Sequence, residues 1–147
     1  MSPAVGGRWP EPADEVRHWL IGELVAPGGA RTPMDVDLAW GRTDPLAVRV
    51  VFLEAGKTWL VGRELLGEGL VRRAGGGDVE VRPCDARVQL LFSAPGGAAV
   101  VRFAAAEVMS FLVETYQLVG PDEAAAIVHA QIEASLAVLL GASGGGS

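Results

Sequence analysis

The chain has 147 residues and a mass of 15.3 kDa, the size of one ordinary domain and too little for two independent cores with a linker. Half of it is hydrophobic, which excludes a disordered chain and supplies material for a sizeable core. Twelve basic against eighteen acidic side chains leave a net charge of −6, which argues against an electrostatic footprint for nucleic acid or for an anionic membrane.

Residues 1–15 are polar and interrupted by Pro3, Pro10 and Pro12. They read as a flexible arm without the apolar run of a signal-peptide core. Strand patterns then follow one another. Val16–Val25 is apolar and ends in the turn cluster Ala26-Pro27-Gly28-Gly29. Asp35–Trp40 alternates, with Val36, Leu38 and Trp40 on one face and Asp35, Asp37 and Ala39 on the other. Leu46–Glu54 is apolar on both faces except at Arg49, the pattern of an interior strand, and Lys57–Val61 follows after a short turn as its hairpin partner. Gly62–Gly69 breaks the period of two and reads as a helical turn or tight connection. Gly75-Gly76-Gly77 is a turn that opens the strand Asp78–Arg82, closed by Pro83. Arg87–Ser93 and Ala98–Phe103 flank Ala94-Pro95-Gly96-Gly97, another hairpin signal.

The period changes at Ala104. Glu107, Ser110, Glu114 and Gln117 recur at steps of three and four to Val119, opposite Val108, Phe111, Leu112 and Leu118, so one solvated helix face is expected. Gly120 ends this helix and Pro121-Asp122-Glu123 begins the next, with proline and two acids where free N–H groups and the helix dipole favour them. That last helix is expected to run to about Leu140, before a flexible Gly-rich tail at 141–147. About seven strands followed by two helices, joined by hairpin-short connections, define an α+β chain with a mostly antiparallel sheet, in a single domain over 16–140.

Catalytic patterns are missing from this sequence. His129 and Glu133 are spaced i, i+4 and could face one ion, but no second ligand pair accompanies them, and a helix-surface pair is the simpler account. His18 reads as structural, and Cys84 lacks a CxxC partner or any surrounding signature. With one cysteine there is no internal disulfide, and a reducing compartment fits. With no stretch reaching the 18 or so apolar residues of a bilayer span, the chain reads as cytoplasmic. Neither a metal nor a cofactor is expected. Arg49, Arg72, Arg73, Arg82, Arg87 and Arg102 lie in or beside strands, with Trp40, Trp59, Phe52, Phe92 and Phe103 available for stacking. Such a set suits a single-strand nucleic-acid binder, although the net charge favours solvated arginines around buried aromatics.

Two surfaces stand out. Arg63, Glu64 and Glu68 are expected to project from the connection after the fourth strand as a partner surface, while Leu65 and Leu66 are candidates to plug the core. Val128, Ile132, Leu136 and Leu139 form an apolar stripe on the last helix, with Ile127, Val138 and Leu140 spilling outside it. A helix so poor in charge is either deeply packed or an interface between subunits or with a partner.

From Asp44 to Leu112 the chain carries an ordered motif series. Asp44-Pro45-Leu46-Ala47-Val48 leads to Trp59-Leu60-Val61-Gly62-Arg63-Glu64-Leu65-Leu66, then to Glu68-Gly69-Leu70 and to Gly77-Asp78-Val79-Glu80-Val81-Arg82-Pro83. Ser93-Ala94-Pro95-Gly96-Gly97 and Ala105–Leu112 complete it. The series resembles the SsgA-like family of actinobacterial sporulation and cell-division proteins, over roughly Val16–Leu140. A GC-rich actinobacterial source also agrees with eleven arginines against the single Lys57. The resemblance implies a non-enzymatic regulator or adaptor of septum placement or spore-wall assembly, recruited to division septa. Its implied partners are the tubulin-like GTPase FtsZ, other SsgA-like proteins and membrane-associated division machinery, without direct membrane insertion. It also implies a curved, Whirly-like sheet assembled as a homo-oligomer, taken here as a trimer. The alternative, a Whirly-like single-stranded nucleic-acid binder, follows from the same fold likeness.

Overall fold

The computed structural model describes residues 14–145, with side chains through Gly141. The arm expected at 1–15 therefore lies outside the described residues except for Asp14 and Glu15. Eight strands follow: β1 (Glu15–Val25), β2 (Arg31–Gly41), β3 (Asp44–Phe52), β4 (Lys57–Gly62), β5 (Ala74–Gly76), β6 (Val79–Cys84), β7 (Arg87–Ala94) and β8 (Gly97–Ala104). A short helix α1 (Arg63–Gly69) joins β4 to β5, and α2 (Ala105–Leu118) and α3 (Pro121–Gly145) end the described chain.

All eight strands make one antiparallel sheet, ordered β4-β3-β2-β1-β8-β7-β6-β5. The alternating positions behave as expected. Val36, Leu38 and Trp40, then Val88, Leu90 and Phe92, are buried on one face. The additional strand is β5, short and glycine-rich, which period-two patterning cannot register because glycine has no side chain to alternate. Gly75 has φ +85°, and a methyl group there would lie 2.6 Å from the Val79 carbonyl oxygen, so only glycine fits this hairpin.

The sheet curls until its two halves touch. Phe52 on β3 meets Phe92 on β7 edge-on at 5.7 Å, and Trp59 on β4 meets the same ring at 4.9 Å. Divergence at the centre makes room for a helix: β1 pairs with β2 along its whole length but with β8 only at Glu23–Val25. Gly22 sits where they part, and a side chain there would meet the Phe103 ring at 2.7 Å. α2 packs against β1, β7 and β8, burying Val108, Phe111 and Leu112. On the same inner face of β1, His18 Nε2 lies 2.8 Å from Glu114 Oε2, with its ring edge-on to Phe111, a structural place as expected.

Arg63 corrects an expectation. It does not project into solvent; it is 2% exposed. Its Nη1 donates to the backbone oxygens of Val119 at 2.8 Å and Thr115 at 3.2 Å, the last carbonyls of α2. Its guanidinium lies 4.0 Å from the Tyr116 ring centroid and 5.4 Å from that of Trp40. A buried cation normally needs a carboxylate. Here the carbonyl end of a helix supplies the negative pole and two aromatic faces supply the rest. This interaction joins residues more than fifty positions apart and pins α1, which bridges the two ends of the sheet, to α2. Leu66 is buried beside it and plugs the core, the alternative that the charged connection left open.

Arg42 performs a similar task nearby. It bonds Asp14 Oδ1 at 3.1 Å, Glu123 Oε2 at 2.9 Å and the Leu118 carbonyl at 3.4 Å, tying the β2–β3 turn to the start of α3. α3 itself departs from expectation at its far end: it runs through Gly141 to Gly145.

Two outcomes follow from the Arg63 packing. Replacing Arg63 with Ala removes the donor of the Val119 carbonyl and empties the aromatic sandwich, and is expected to cost about 3 kcal/mol in urea unfolding. Arg63→Lys should recover little of that loss, because an ammonium cannot stack as a plane. Burial also raises the Tyr116 phenol above its ordinary value, against the opposing charge of Arg63 and with a smaller push from Glu64. The folded phenol thus holds its proton longer than the unfolded one. Its contribution is fully present below the unfolded value near pH 10 and lost as pH rises through the folded value. Tyr116→Phe should remove that part of the alkaline loss, read by melts between about pH 9 and 11.

Candidate functional site

Three surfaces can engage another molecule. α3 is the largest. Only its first three turns are docked: Ala124 is buried, Ile127 and Val128 are half-buried, and Gln131 Nε2 donates to the Thr43 carbonyl at 2.8 Å. Beyond that point the helix leaves the domain. Ile132 is 53% exposed, Leu136 50%, Leu139 64% and Leu140 70%. Of the predicted stripe, Val128 touches the domain while Ile132, Leu136 and Leu139 face outward, so deep packing within the chain does not explain this apolar surface. Periodicity shows which face of the helix is apolar and not what covers it.

By length and composition α3 also meets the measure of a membrane span over Pro121–Gly141, with mean hydropathy 1.6. This corrects the expectation that no stretch does so: Glu133 and the scattered polar side chains interrupt the apolar run without lowering its average below that of spanning helices. The base of α3 is held to the domain, where Arg42 bonds Glu123 and Gln131 bonds the Thr43 carbonyl. His129 and Glu133 form an exposed pair at 3.3 Å on this helix. Among the described residues no group of three His, Cys, Asp or Glu side chains could hold a metal ion.

The second surface is the exposed side of α1. Glu64 and Glu68 are at the surface as expected, with Glu68 3.5 Å from Arg72 one turn on. The structure does not bring Arg63 to them as part of one surface, because its side chain turns inward. Arg63 and Glu64 are neighbours in sequence, but on a helix consecutive side chains diverge by about 100°, and the one beside Leu66 and Tyr116 is drawn into the core.

The third surface was not anticipated. Where the β1–β2, β3–β4 and β7–β8 hairpins converge, the curled sheet leaves an open apolar cleft of about 580 Å³. Phe52, Trp59 and Phe92 form its walls with Leu24, Met34 and Val101, and Lys57 stands among the lining residues. No sequence signal marks it, since the cleft exists only because distant hairpins meet.

The proposed stacking platform is internal. Trp40, Phe52, Phe92 and Phe103 are buried and Trp59 is half-buried against the core. Arg82, Gln89, Arg102 and Glu23 instead share one cross-strand row on the opposite, outer face, where Arg102 Nε donates to Gln89 Oε1 at 2.9 Å and Arg87 pairs with Glu23. Cys84 is a half-buried free thiol at the end of β6.

Residues 34–123, more than half of the chain, match the family described as Streptomyces sporulation and cell division protein, SsgA. The sporulation-specific cell division protein SsgB of Saccharopolyspora erythraea is 36% identical over 113 residues, covering 72% of this chain and 79% of that protein. SsgB of Frankia casuarinae is 33% identical over 134 residues, covering 86% and 92%. Among solved structures, an SsgA-like sporulation-specific cell division protein from Thermobifida fusca superposes with a TM-score of 0.75 at 26% identity, covering 86% of this chain and 98% of that one. A structure from work on SsgB mutations that correlate to longitudinal cell division in sporulating Streptomyces coelicolor gives 0.72 at 32% identity, covering 77% and 94%. Motif order, curled sheet and paired C-terminal helices agree with these matches: the chain belongs to the SsgA family of sporulation and cell division proteins.

Proposed function

We propose that the protein is a non-catalytic adaptor of sporulation-specific division, working at the septum as a homo-oligomer that binds other division proteins. The observation that carries this reading is α3, a helix held firmly at its base and uncovered along its apolar length. Five exposed large side chains on the free part of the helix, Ile132, Leu136, Val138, Leu139 and Leu140, are a standing aggregation hazard unless a neighbour covers them. A second copy of the same helix does so symmetrically, with Ile132, Leu136 and Leu139 at the contact and Val128 at its base. Glu64 and Glu68 stay free for a partner, and FtsZ, which the family resemblance implies, is the first to test.

The expected result in light scattering is a mass above that of one chain, falling to one chain in the double variant Ile132→Glu, Leu136→Glu. Thermal stability of the domain core should change by less than about 1 kcal/mol, since Ile132 and Leu136 lie outside the hydrophobic core. A wild-type protein that stays monomeric at high concentration removes the oligomer. Deletion of the gene in the source organism should alter septum placement or spore-wall form; unchanged sporulation septa remove the division role.

The arginine row on the outer sheet face supports a second reading, a single-stranded nucleic-acid binder. Buried aromatics and net charge weigh against it. An unshifted labelled oligonucleotide at micromolar protein and low salt eliminates it, because phosphate binding is strongest there.

A further inference from the structure

The cleft at the convergence of the three hairpins has no part in the oligomer proposed above. Its base and walls are apolar: Phe52, Trp59 and Phe92 meet there, with Leu24, Met34 and Val101 completing the lining. Towards its turn the β7–β8 hairpin contributes only the small residues Ala94, Gly96, Gly97, Ala98 and Ala99, so one side is low and the cleft stays open to solvent. At about 580 Å³ it lies within the size range of ligand sites.

Charge selects the occupant. The lining contains one charged residue, Lys57, and no carboxylate, in a chain whose net charge is −6. Lys57 is exposed and shares the inward face of β4 with Trp59, two residues along the strand. An apolar group resting on Trp59 and Phe92 would thus carry its acid to Lys57 over the distance of one dipeptide repeat. β4 is also the terminal strand of the sheet, with a neighbour on the β3 side alone. An extended segment can run along that open edge and insert alternate side chains into the cleft. A small amphiphile would use the apolar walls and the lysine but not the strand edge.

We propose that this cleft is a docking site for an extended peptide segment of a protein partner, one that places an apolar side chain between Trp59 and Phe92 and a carboxylate at Lys57. The proposal deepens the adaptor reading and rests on it, giving the chemistry of one partner contact. It assigns to Lys57 recognition of the acid, to Trp59 and Phe92 the apolar grip, and to Ala99 the low wall that admits the segment.

The test uses the full chain and a phage-displayed library of random dodecapeptides, followed by titration of the enriched peptides in synthetic form. Enrichment of sequences pairing an apolar residue with Asp or Glu at i+2 is expected. Their affinity should fall about tenfold or more in Lys57→Glu and in Ala99→Leu, which fills the cleft, with the melting temperature of Lys57→Glu unchanged. Enriched peptides that bind Lys57→Glu as well as wild type overturn the proposal even if Ala99→Leu proves unstable. So does a library that yields no enriched sequence, or saturable binding of dansylated undecanoic acid without peptide enrichment, which makes the cleft a lipid site. A drop in oligomer mass in Lys57→Glu also overturns it, by making a second copy the occupant. Unchanged sporulation septa in a deletion strain would remove the adaptor reading while leaving peptide binding measurable, so the two failures are distinguishable.

Discussion

A curled sheet of this length is an open structure until something fastens its two ends, and the fastening here is one arginine. Arg63 begins the helix that crosses from edge strand β4 to edge strand β5. Its guanidinium reaches the terminal carbonyls of α2 between the rings of Tyr116 and Trp40. Burial depresses its pKa from the ordinary value, yet its surroundings are suited to a cation throughout: helix carbonyls at one end and aromatic faces above and below. The Nε makes no hydrogen bond, so the stabilisation comes from Nη1 and the rings. Besides this contact, α1 is held against the core by Leu66, by Leu65 and by the close approach of Gly69 to Val81.

That fastening sets the rest of the architecture. Because α1 is drawn onto α2, the two halves of the sheet close far enough for Phe92 to meet both Phe52 and Trp59. α1 and α2 cover one side of the curl, and where the three hairpins converge it stays open as the cleft. The end of α2 is fixed by the same arginine. Arg42 then aims α3 by holding Glu123 and the Leu118 carbonyl. The direction of the protruding helix is set by these arginine contacts together with α3's own Ala124, Ile127 and Gln131, which dock its base.

The molecule divides its polarity accordingly. Acidic side chains outnumber basic ones, Arg63 and Arg42 act as fasteners while Arg87 and Arg102 pair on the outer sheet face, and apolar surface is presented on α3 and in the cleft, with further exposed side chains such as Trp19, Ile21 and Leu60 on the sheet. Exposed apolar surface of this kind provides association energy when another molecule covers it. Membership of a sporulation and cell-division family gives those surfaces a setting. Which surface serves self-association and which serves a partner is a separate question of contact chemistry.

Periodicity determined most of the fold without help. Alternation in β2, β7 and β8 and the three-and-four spacing of α2 are local properties, and each strand or helix reads correctly because its buried face repeats along its own sequence. The motif series through Trp59, Arg63 and Gly77-Asp78 likewise named the family from order alone. Arg63 was misplaced for the opposite reason: a charged residue in a Gly-bounded connection is locally a surface residue, and only Val119 and Tyr116, more than fifty positions away, make it a buried one. β5 escaped because glycine carries no periodic signal, and the cleft because it belongs to three hairpins at once. For α3 the sequence determined that an apolar face needs covering, whereas tertiary structure decided that the domain itself does not cover it, since burial is a relation between segments that no single segment encodes.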